Sequence, residues 1–297
     1  MKRAVMALAC AATAALVAPA VAAPAQAQTT AESQARPANP PAALKKQFVP
    51  GRGVRVVSSA KMSFGGFVNI KSGSKGVFGF GRSGVSSSDL TTKINYGGGL
   101  GDDDELKGIN DPMRTITVGR TSYVSGGIYA DLLPDGKSWL RLPGQDPDAA
   151  LTGIGGYVNP LDPRALQAVL ATTKAKGAGG VVNGARTTLY RGTITVKQLA
   201  AAVPSLRKQL PSSASKGVIS WKLWIGGDQL VRKVVSSMTT TMKSKKISIT
   251  IESSSTTTYS GWGGKVTVKA PPKSQVATTS DIDGSVPDLP QVIDLGD

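Results

Sequence analysis

The sequence predicts an α+β protein built mainly from antiparallel strands. Short runs of strand-forming residues alternate with clusters of Gly, Ser, Asp and Pro, as in a meander of hairpins. Helical periodicity is confined to a few short segments. Many strands with few helices favour a single antiparallel sheet with a few helices packed on it.

The N-terminus has the pattern of a secretory signal peptide. Lys2 and Arg3 precede the apolar run 4–23, and small residues end at Ala27. We expect a signal peptide over residues 1–27 and a mature protein that is secreted or held in the cell envelope. A transmembrane anchor is a poorer interpretation, because the run is rich in Ala and contains Pro19.

Cys10 is the only cysteine, so lipid anchoring has to be considered. Only residues 4–9 separate it from the basic pair, and a leucine occupies the wrong position for a lipobox. We therefore expect Cys10 to be removed with the signal peptide, which would leave no thiol for disulfides or metal sites. Residues 28–40 are rich in Ala, Pro and polar residues and predict a disordered linker.

The chain is strongly basic, with a formal net charge of +16. Such a charge favours contact with an anionic envelope surface. Nucleic acid is excluded as the partner, because the basic residues are scattered, no helix-turn-helix or stacking aromatic cluster accompanies them, and export removes the protein from DNA.

Short apolar runs predict a first helix and the first strands of the sheet. Residues 41–48 predict a helix in which Leu44 and Phe48 pack at i and i+4. In the run 90–96, apolar and polar residues alternate as in a strand with one buried face. The predicted strands are 67–71, 76–82, 90–96, 113–118, 121–132 and 138–142.

Residues 161–199 predict a helix, a turn, a long strand and the start of a second helix. Asp162 is a good N-cap and Pro163 suits the first helical position. The Gly-rich run 174–180 is expected to end the helix, and residues 181–196 to form the strand. One face of the first helix carries Ala165, Leu166, Val169 and Leu170.

Strands return after helical pieces at 195–203 and 205–210. A hairpin turn at 226–228 leads to a strand over 230–238, and the last predicted strands are 247–251 and 266–269. We expect a single folded domain over residues 41–272 and a flexible acidic tail over 273–297. The apolar row of the strand before the hairpin turn consists of Ile219, Trp221, Leu223 and Ile225.

Two segments resemble a known family. The first is Gly184-Ala-Arg-Thr-Thr-Leu-Tyr190-Arg-Gly192-Thr, and the second is Trp224-Ile-Gly-Gly-Asp228-Gln-Leu-Val-Arg232-Lys. They resemble the actinobacterial branch of the LolA/LolB-like lipoprotein-carrier superfamily, to which the mycobacterial LppX/LprAFG glycolipid carriers belong. The resemblance covers roughly residues 41–272.

The resemblance implies a strongly curved antiparallel half-barrel, closed by a few helices around an apolar cavity that holds acyl chains. An acyl-chain or glycolipid ligand, no cofactor and a monomeric state are then expected. The same apolar residues would also suit an ordinary core, and that alternative stays open. The residues expected to line the cavity are Phe78, Phe80, Trp139, Leu166, Val169, Leu170, Ile219, Trp221, Leu223 and Ile225.

Catalytic and metal sites find little support in the sequence. The absence of histidine removes the commonest general base and most transition-metal sites. Ser-x-x-Lys occurs at Ser58, Ser72 and Ser213, but without the companion motifs of serine acylases. A GxGxxG run at 79–84 does not lead into a helix, and the acidic run 102–105 lacks calcium-loop spacing.

We therefore expect a non-enzymatic carrier or binder of acylated molecules. Two other classes remain as alternatives: a cell-wall hydrolase or acylase that uses carboxylate or serine chemistry, and a cationic wall-binding structural protein. Paired carboxylates for glycoside hydrolysis are compatible with the sequence, but no particular pair is indicated.

Overall fold

Within the described residues, twelve strands pair into one sheet. The computed structural model describes residues 39–97, 108–144, 156–203, 206, 217–244 and 247–282. Across the sheet the strand order is β12-β6-β5-β4-β3-β2-β1-β11-β10-β9-β8-β7, and all pairings except β12 with β6 are antiparallel. The strands are β1 (Arg52–Phe64), β2 (Val68–Phe80), β3 (Val85–Tyr96), β4 (Met113–Val118), β5 (Thr121–Gly126), β6 (Trp139–Pro143), β7 (Thr173–Val182), β8 (Ala185–Thr195), β9 (Val218–Gly226), β10 (Val231–Ser244), β11 (Ile247–Lys265) and β12 (Val276–Ala277).

The α-helices whose bounds the structure describes are short and are capped by side chains that precede them. They are α1 (Pro40–Lys45), α2 (Pro163–Ala171) and α3 (Val196–Ala202). The carboxylate of Asp162 accepts from Arg164 N at 2.8 Å, as the sequence predicts for α2. At α3, Thr195 and Gln198 form a reciprocal capping box. No helix in the described part of the chain is long and apolar enough to cross a membrane.

The helices cover one face of the sheet, which we call the inner face. The buried residues of α2 and α3 belong to one apolar cluster with inner-face residues of β1, β2, β3, β8, β9, β10 and β11. A second, smaller cluster lies under β5 and β6. Among the described residues, the opposite, outer face has no such helical cover, and it carries exposed side chains such as Val57, which is 59% exposed.

The sheet is curved and does not close on itself. In the strand order β8 lies three strands from β11, which is about 14 Å in a flat sheet. Yet Asn183, in the β7–β8 turn, donates its side-chain amide to the carbonyl of Tyr259 in β11 at 3.1 Å. The two ends of the strand order, β12 and β7, remain unpaired edges. The predicted fold class, a curved and mainly antiparallel sheet with a few helices, is confirmed.

The predicted long strand over 181–196 is wrong in detail. The segment Thr173–Val182 is itself a strand, and Asn183 and Gly184 form a tight turn into β8. The sequence showed no alternation in 174–180 because β7 is an edge strand and most of its residues are exposed. An edge strand without a buried face needs no apolar side chains.

Several other strand boundaries also differ from the prediction. The runs 67–71 and 76–82 belong to one continuous strand, β2. The run 121–132 is a strand only to Gly126, because Gly126 and Gly127 both have positive φ and start a 3₁₀ turn. Residues 266–269 lie beyond the end of β11 instead of forming a last strand.

The tail predicted to start at residue 273 begins as part of the fold. Val276 and Ala277 form β12, which pairs in parallel with Trp139 and Leu140 of β6. Ile282 is 8% exposed and belongs to the second apolar cluster. The folded part therefore extends at least to Ile282, while the other predicted domain boundaries stay predictions.

Candidate functional site

The structure brings nine of the ten predicted cavity residues into one cluster. Eight are at most 2% exposed, so in this conformation they are packed as a closed core. Leu170 is partly buried and packs against the same cluster. Their contact with a ligand stays a prediction. The eight buried residues are Phe78, Phe80, Leu166, Val169, Ile219, Trp221, Leu223 and Ile225.

Trp139 lies elsewhere, and its assignment to the cavity wall is corrected. Its neighbour Leu140 is fully buried in the second cluster, so strand alternation directs Trp139 to the outer face. There the guanidinium carbon of Arg114 lies 5.7 Å from the centre of the indole ring, in a cation–π contact. Composition alone gave no sign of which of the two neighbouring residues points inward.

Trp221 anchors the C-terminal end of α2 to the sheet. Its indole N–H donates to Thr172 Oγ1 at 3.1 Å. Opposite it on β8 stands Gly192, where an added Cβ would lie 2.6 Å from the Trp221 ring. The glycine therefore lets the indole lie flat across β8 under the helix, as part of a packed core.

Beyond this cluster, the inner face carries a patch of hydroxyl groups. The sheet register places small side chains of β1, β2, β3, β10 and β11 side by side on this face. Those on β1–β3 are half-buried, whereas those on β10 and β11 are buried. We call this set the hydroxyl patch; it consists of Ser58, Ser72, Ser74, Thr92, Ser236, Ser253, Ser255 and Thr257.

Hydrogen bonds pair the patch hydroxyls across the strands. Three pairs lie within hydrogen-bond distance, namely Ser58 with Thr257 at 2.8 Å, Ser74 with Thr92 at 2.8 Å and Ser236 with Ser255 at 2.9 Å. Because the hydroxyls bond to one another, the patch is less polar towards a ligand than its composition indicates. Its side chains are also smaller than the aromatic residues of the cluster.

Tyr157 lies over the patch from the segment that leads into α2. Its phenol oxygen forms a short hydrogen bond with the hydroxyl of Ser253. Burial raises the pKa of the Tyr157 phenol, and the hydrogen bond to Ser253 partly opposes that rise. The patch is thus bounded on one side by an amphipathic aromatic ring.

A polar cleft of about 360 Å³ lies at the end of the sheet opposite the β1–β2 turn. The carboxylate of Asp228 pairs with the guanidinium of Arg232 and also accepts from Leu230 N. Tyr259, 1% exposed, contributes a phenol hydroxyl for which no described residue is a hydrogen-bond partner. Burial raises the pKa of Tyr259 far above its usual value. The cleft is lined by Gln47, Asn183, Asp228, Leu230, Arg232, Tyr259, Ser260, Gly261 and Trp262.

The catalytic motifs considered from the sequence do not assemble. Ser58 and Ser72 lie on the inner face, whereas Lys61 and Lys75, three residues later in each strand, lie on the outer face. The run 79–84 ends β2 and forms a turn. No cluster of three metal-binding side chains occurs among the described residues, and Ser213 and the acidic run 102–105 lie outside them.

The hydroxyl patch and the cleft are the features that sequence reasoning missed. The Ser/Thr run 253–258 has no apolar alternation, so only its β-branched threonines hinted at a strand. Asp228 was predicted to lie in a hairpin turn, whereas Asn183 was placed inside the predicted strand 181–196, and nothing in the sequence indicated that these two residues meet at one cleft.

No family model matches this chain, and no curated protein matches it. Solved structures with some likeness include an S-type phycobiliprotein lyase from Guillardia theta, with 6% identity over 73% of this chain and 90% of that one, at a TM-score of 0.22. A DUF1329 family protein from Desulfovibrio piger has 12% identity over 74% and 90%, at a TM-score of 0.24.

A LolA superfamily protein from Nitrosomonas europaea has 8% identity over 78% of this chain and 93% of that one, also at a TM-score of 0.24. The chain is thus similar to a LolA superfamily protein. At these TM-scores the likenesses carry no argument, and the fold class rests on the strand order and register. Membership of the LolA/LolB-like superfamily and of its actinobacterial branch stays a prediction.

Proposed function

We propose that the protein is a non-enzymatic carrier that binds the acyl chain of a lipid or lipidated molecule on the inner face of its sheet. One observation carries the proposal: the inner face continues beyond the helix-covered cluster as a partly exposed surface. Met62 and Phe64 at its far end are half-buried, and Ile251, opposite Phe64, is 9% exposed. A surface with apolar residues at both ends and small hydroxyl residues between them suits a long apolar chain.

The other residues on this face support the same proposal. Ala60, Ile70, Ile94 and Ile251 are apolar and at most 9% exposed, yet they belong to neither apolar cluster. The half-buried hydroxyls of β1–β3 already pair across strands, so contact with an acyl chain leaves few unpaired polar groups. A glycolipid is one ligand of this class.

We expect the carrier to act after export, on the evidence of the N-terminal pattern in residues 1–27. The hydrolase alternative finds no support in the arrangement of Ser58 and Ser72, whose Ser-x-x-Lys lysines lie on the opposite face of the sheet. A carrier needs no catalytic group, and its inner face needs only space and apolar contact.

The proposal is tested by placing a bulky side chain in the hydroxyl patch. In the Ser72→Leu variant a bulky side chain occupies the middle of the inner face, and we expect the affinity for a fluorescent fatty acid to fall at least about tenfold. The matched control is Ser59→Leu, the same change on the exposed outer face of the neighbouring strand. Equal affinities for the two folded variants would reject binding on the inner face.

Native mass spectrometry of protein from its own host identifies the cargo. We expect a bound mass that disappears on organic extraction and is absent from the Ser72→Leu variant.

A further inference from the structure

One end of the sheet exposes an aromatic side chain to solvent. Phe67, in the β1–β2 turn, is 86% exposed and is the most exposed of the large hydrophobic residues described. Backbone hydrogen bonds fix the turn: Phe67 N donates to Phe64 O at 3.0 Å, and Gly65 N donates to Thr250 O at 2.8 Å. A single exposed ring is common on protein surfaces, so the neighbours of Phe67 decide whether it belongs to a larger apolar patch.

Ile249 lies beside Phe67. A Cβ placed on Gly65 would lie 3.3 Å from the Phe67 ring and 3.8 Å from Ile249 Cγ2, so both side chains border the same glycine. Ile249 is 37% exposed and is two residues from Ile251, on the same face of β11. Apolar residues therefore continue from the inner face, through Phe64 and Ile251, to the tip of the sheet.

Lysines flank this tip on the outer face. Lys61 and Lys71 are direct partners across β1 and β2, whereas Lys93 of β3 pairs with Gly73, two residues farther from the β1–β2 turn. All three are exposed, and none forms an ion pair with a described residue. Like charges directly opposite each other disfavour the strand pairing, so their placement is not explained by folding. Among the described residues, Glu252 of β11 is the acidic residue nearest to these lysines in the strand register.

We propose that this tip, formed by Phe67 and Ile249 with Lys61 and Lys71 beside them, docks onto the surface of an anionic phospholipid membrane. The lysines would contact the acidic headgroups while the Phe67 ring enters the interfacial region. Charge complementarity and the apolar pair are both required, because either feature alone gives only weak, reversible attachment. Docking at this end would direct the inner face towards the bilayer, where an acyl chain enters or leaves.

Vesicle sedimentation of the full mature chain tests the proposal. We expect binding to mixed phosphatidylcholine–phosphatidylglycerol vesicles that weakens with salt, and little binding to pure phosphatidylcholine vesicles. Phe67→Ser should lower the affinity for mixed vesicles about tenfold. The double variant Lys61→Gln/Lys71→Gln should lower it about 30-fold, at roughly fivefold per lysine.

Matched controls separate the tip from the rest of the surface. Val57→Ser removes another exposed apolar side chain of β1, and Lys222→Gln removes an exposed lysine of β9; both should bind vesicles as the unchanged protein does. Equal losses in controls and tip variants, or no vesicle binding by the unchanged protein, would overturn the proposal. Binding to polyphosphate with the same lysine dependence and no contribution from Phe67 would also overturn it, in favour of a general polyanion surface.

The vesicle-binding test of the tip is independent of the fatty-acid-binding test of the carrier proposal. Fatty-acid binding in solution should be unaffected by Phe67→Ser, whereas Ser72→Leu should leave vesicle binding unchanged. A failure of one site therefore does not imply a failure of the other, and a cooperative thermal transition for each variant confirms that it is folded.

Discussion

The two halves of the inner face share the strands β1, β2, β3, β10 and β11, yet they differ in the size of their side chains. Where α1–α3 cover the sheet, large apolar residues such as Phe78, Trp221 and Leu223 fill the space beneath the helices. In the hydroxyl patch, the five shared strands carry Ser and Thr, and the hydroxyl side chains of β1–β3 are half-buried. The comparison teaches that one sheet face can hold a tightly packed half and a less buried half, depending on the size of its side chains.

The largest expected effect tests the packed half. Trp221→Asp would place a charge without a partner among residues that are at most 2% exposed, at a cost of several kcal/mol. We expect the cooperative thermal transition, followed by circular dichroism, to be lost. Ser72→Asp, on the half-buried part of the patch, should keep that transition. A folded Trp221→Asp variant would show that this half is open to solvent and would remove the distinction between the halves.

A pair of truncations sharpens the comparison without introducing charge. Leu223→Ala removes a fully buried side chain, and we expect the free energy of unfolding to fall by about 2–5 kcal/mol. Met62→Ala removes a half-buried side chain, and about 1 kcal/mol is expected. Urea denaturation measures both values. Similar losses at the two positions would mean that the hydroxyl half is as tightly packed as the other.

At alkaline pH, Tyr259 and Tyr157 should differ in how much each contributes to the loss of folding stability, and this difference is smaller than the effects above. Burial raises the pKa of both phenols in the folded state above the unfolded value of about 10. Above pH 10 the unfolded chain therefore loses protons that the folded chain retains, and stability falls as pH rises, by at most about 1.4 kcal/mol per pH unit and tyrosine.

We expect Tyr259→Phe to reduce this alkaline fall more than Tyr157→Phe, because Tyr259 is fully buried and the hydrogen bond to Ser253 offsets part of the shift at Tyr157. Urea denaturation at pH 9 and above, where the phenols begin to titrate, measures the difference. A greater effect at Tyr157 would mean that the patch excludes water better than the core beneath the helices.

Much of the fold could be predicted from the sequence where a local residue pattern follows directly from burial. The N-cap Asp162, Pro163 and the apolar spacing that follows them fixed α2, because capping and amphipathicity are local properties. The row from Ile219 to Ile225 likewise indicated a strand with one buried face, and the structure confirms it. The resemblance added the curvature, which no local pattern encodes.

The rest depended on tertiary contacts that leave no local pattern. The edge strand β7 buries little, so Gly and Lys in it read as a turn. In β6 the neighbours Trp139 and Leu140 are both apolar, and only the sheet decides which of them points inward. The hydroxyl patch arises from the register of five strands, and a run of serines and threonines does not reveal which face it occupies.

The β12 strand has a consequence for solubility. An open sheet has two edges whose unpaired N–H and C=O groups invite strand addition from a second molecule. At one edge the two residues of β12 occupy the pairing positions of β6 at Trp139 and Leu140, so only a very short strand faces outward. The opposite edge, β7, carries Lys174 and Lys176 and two register irregularities, features that disfavour edge-to-edge pairing. Both edges of the described sheet therefore carry features that disfavour strand addition from a second molecule.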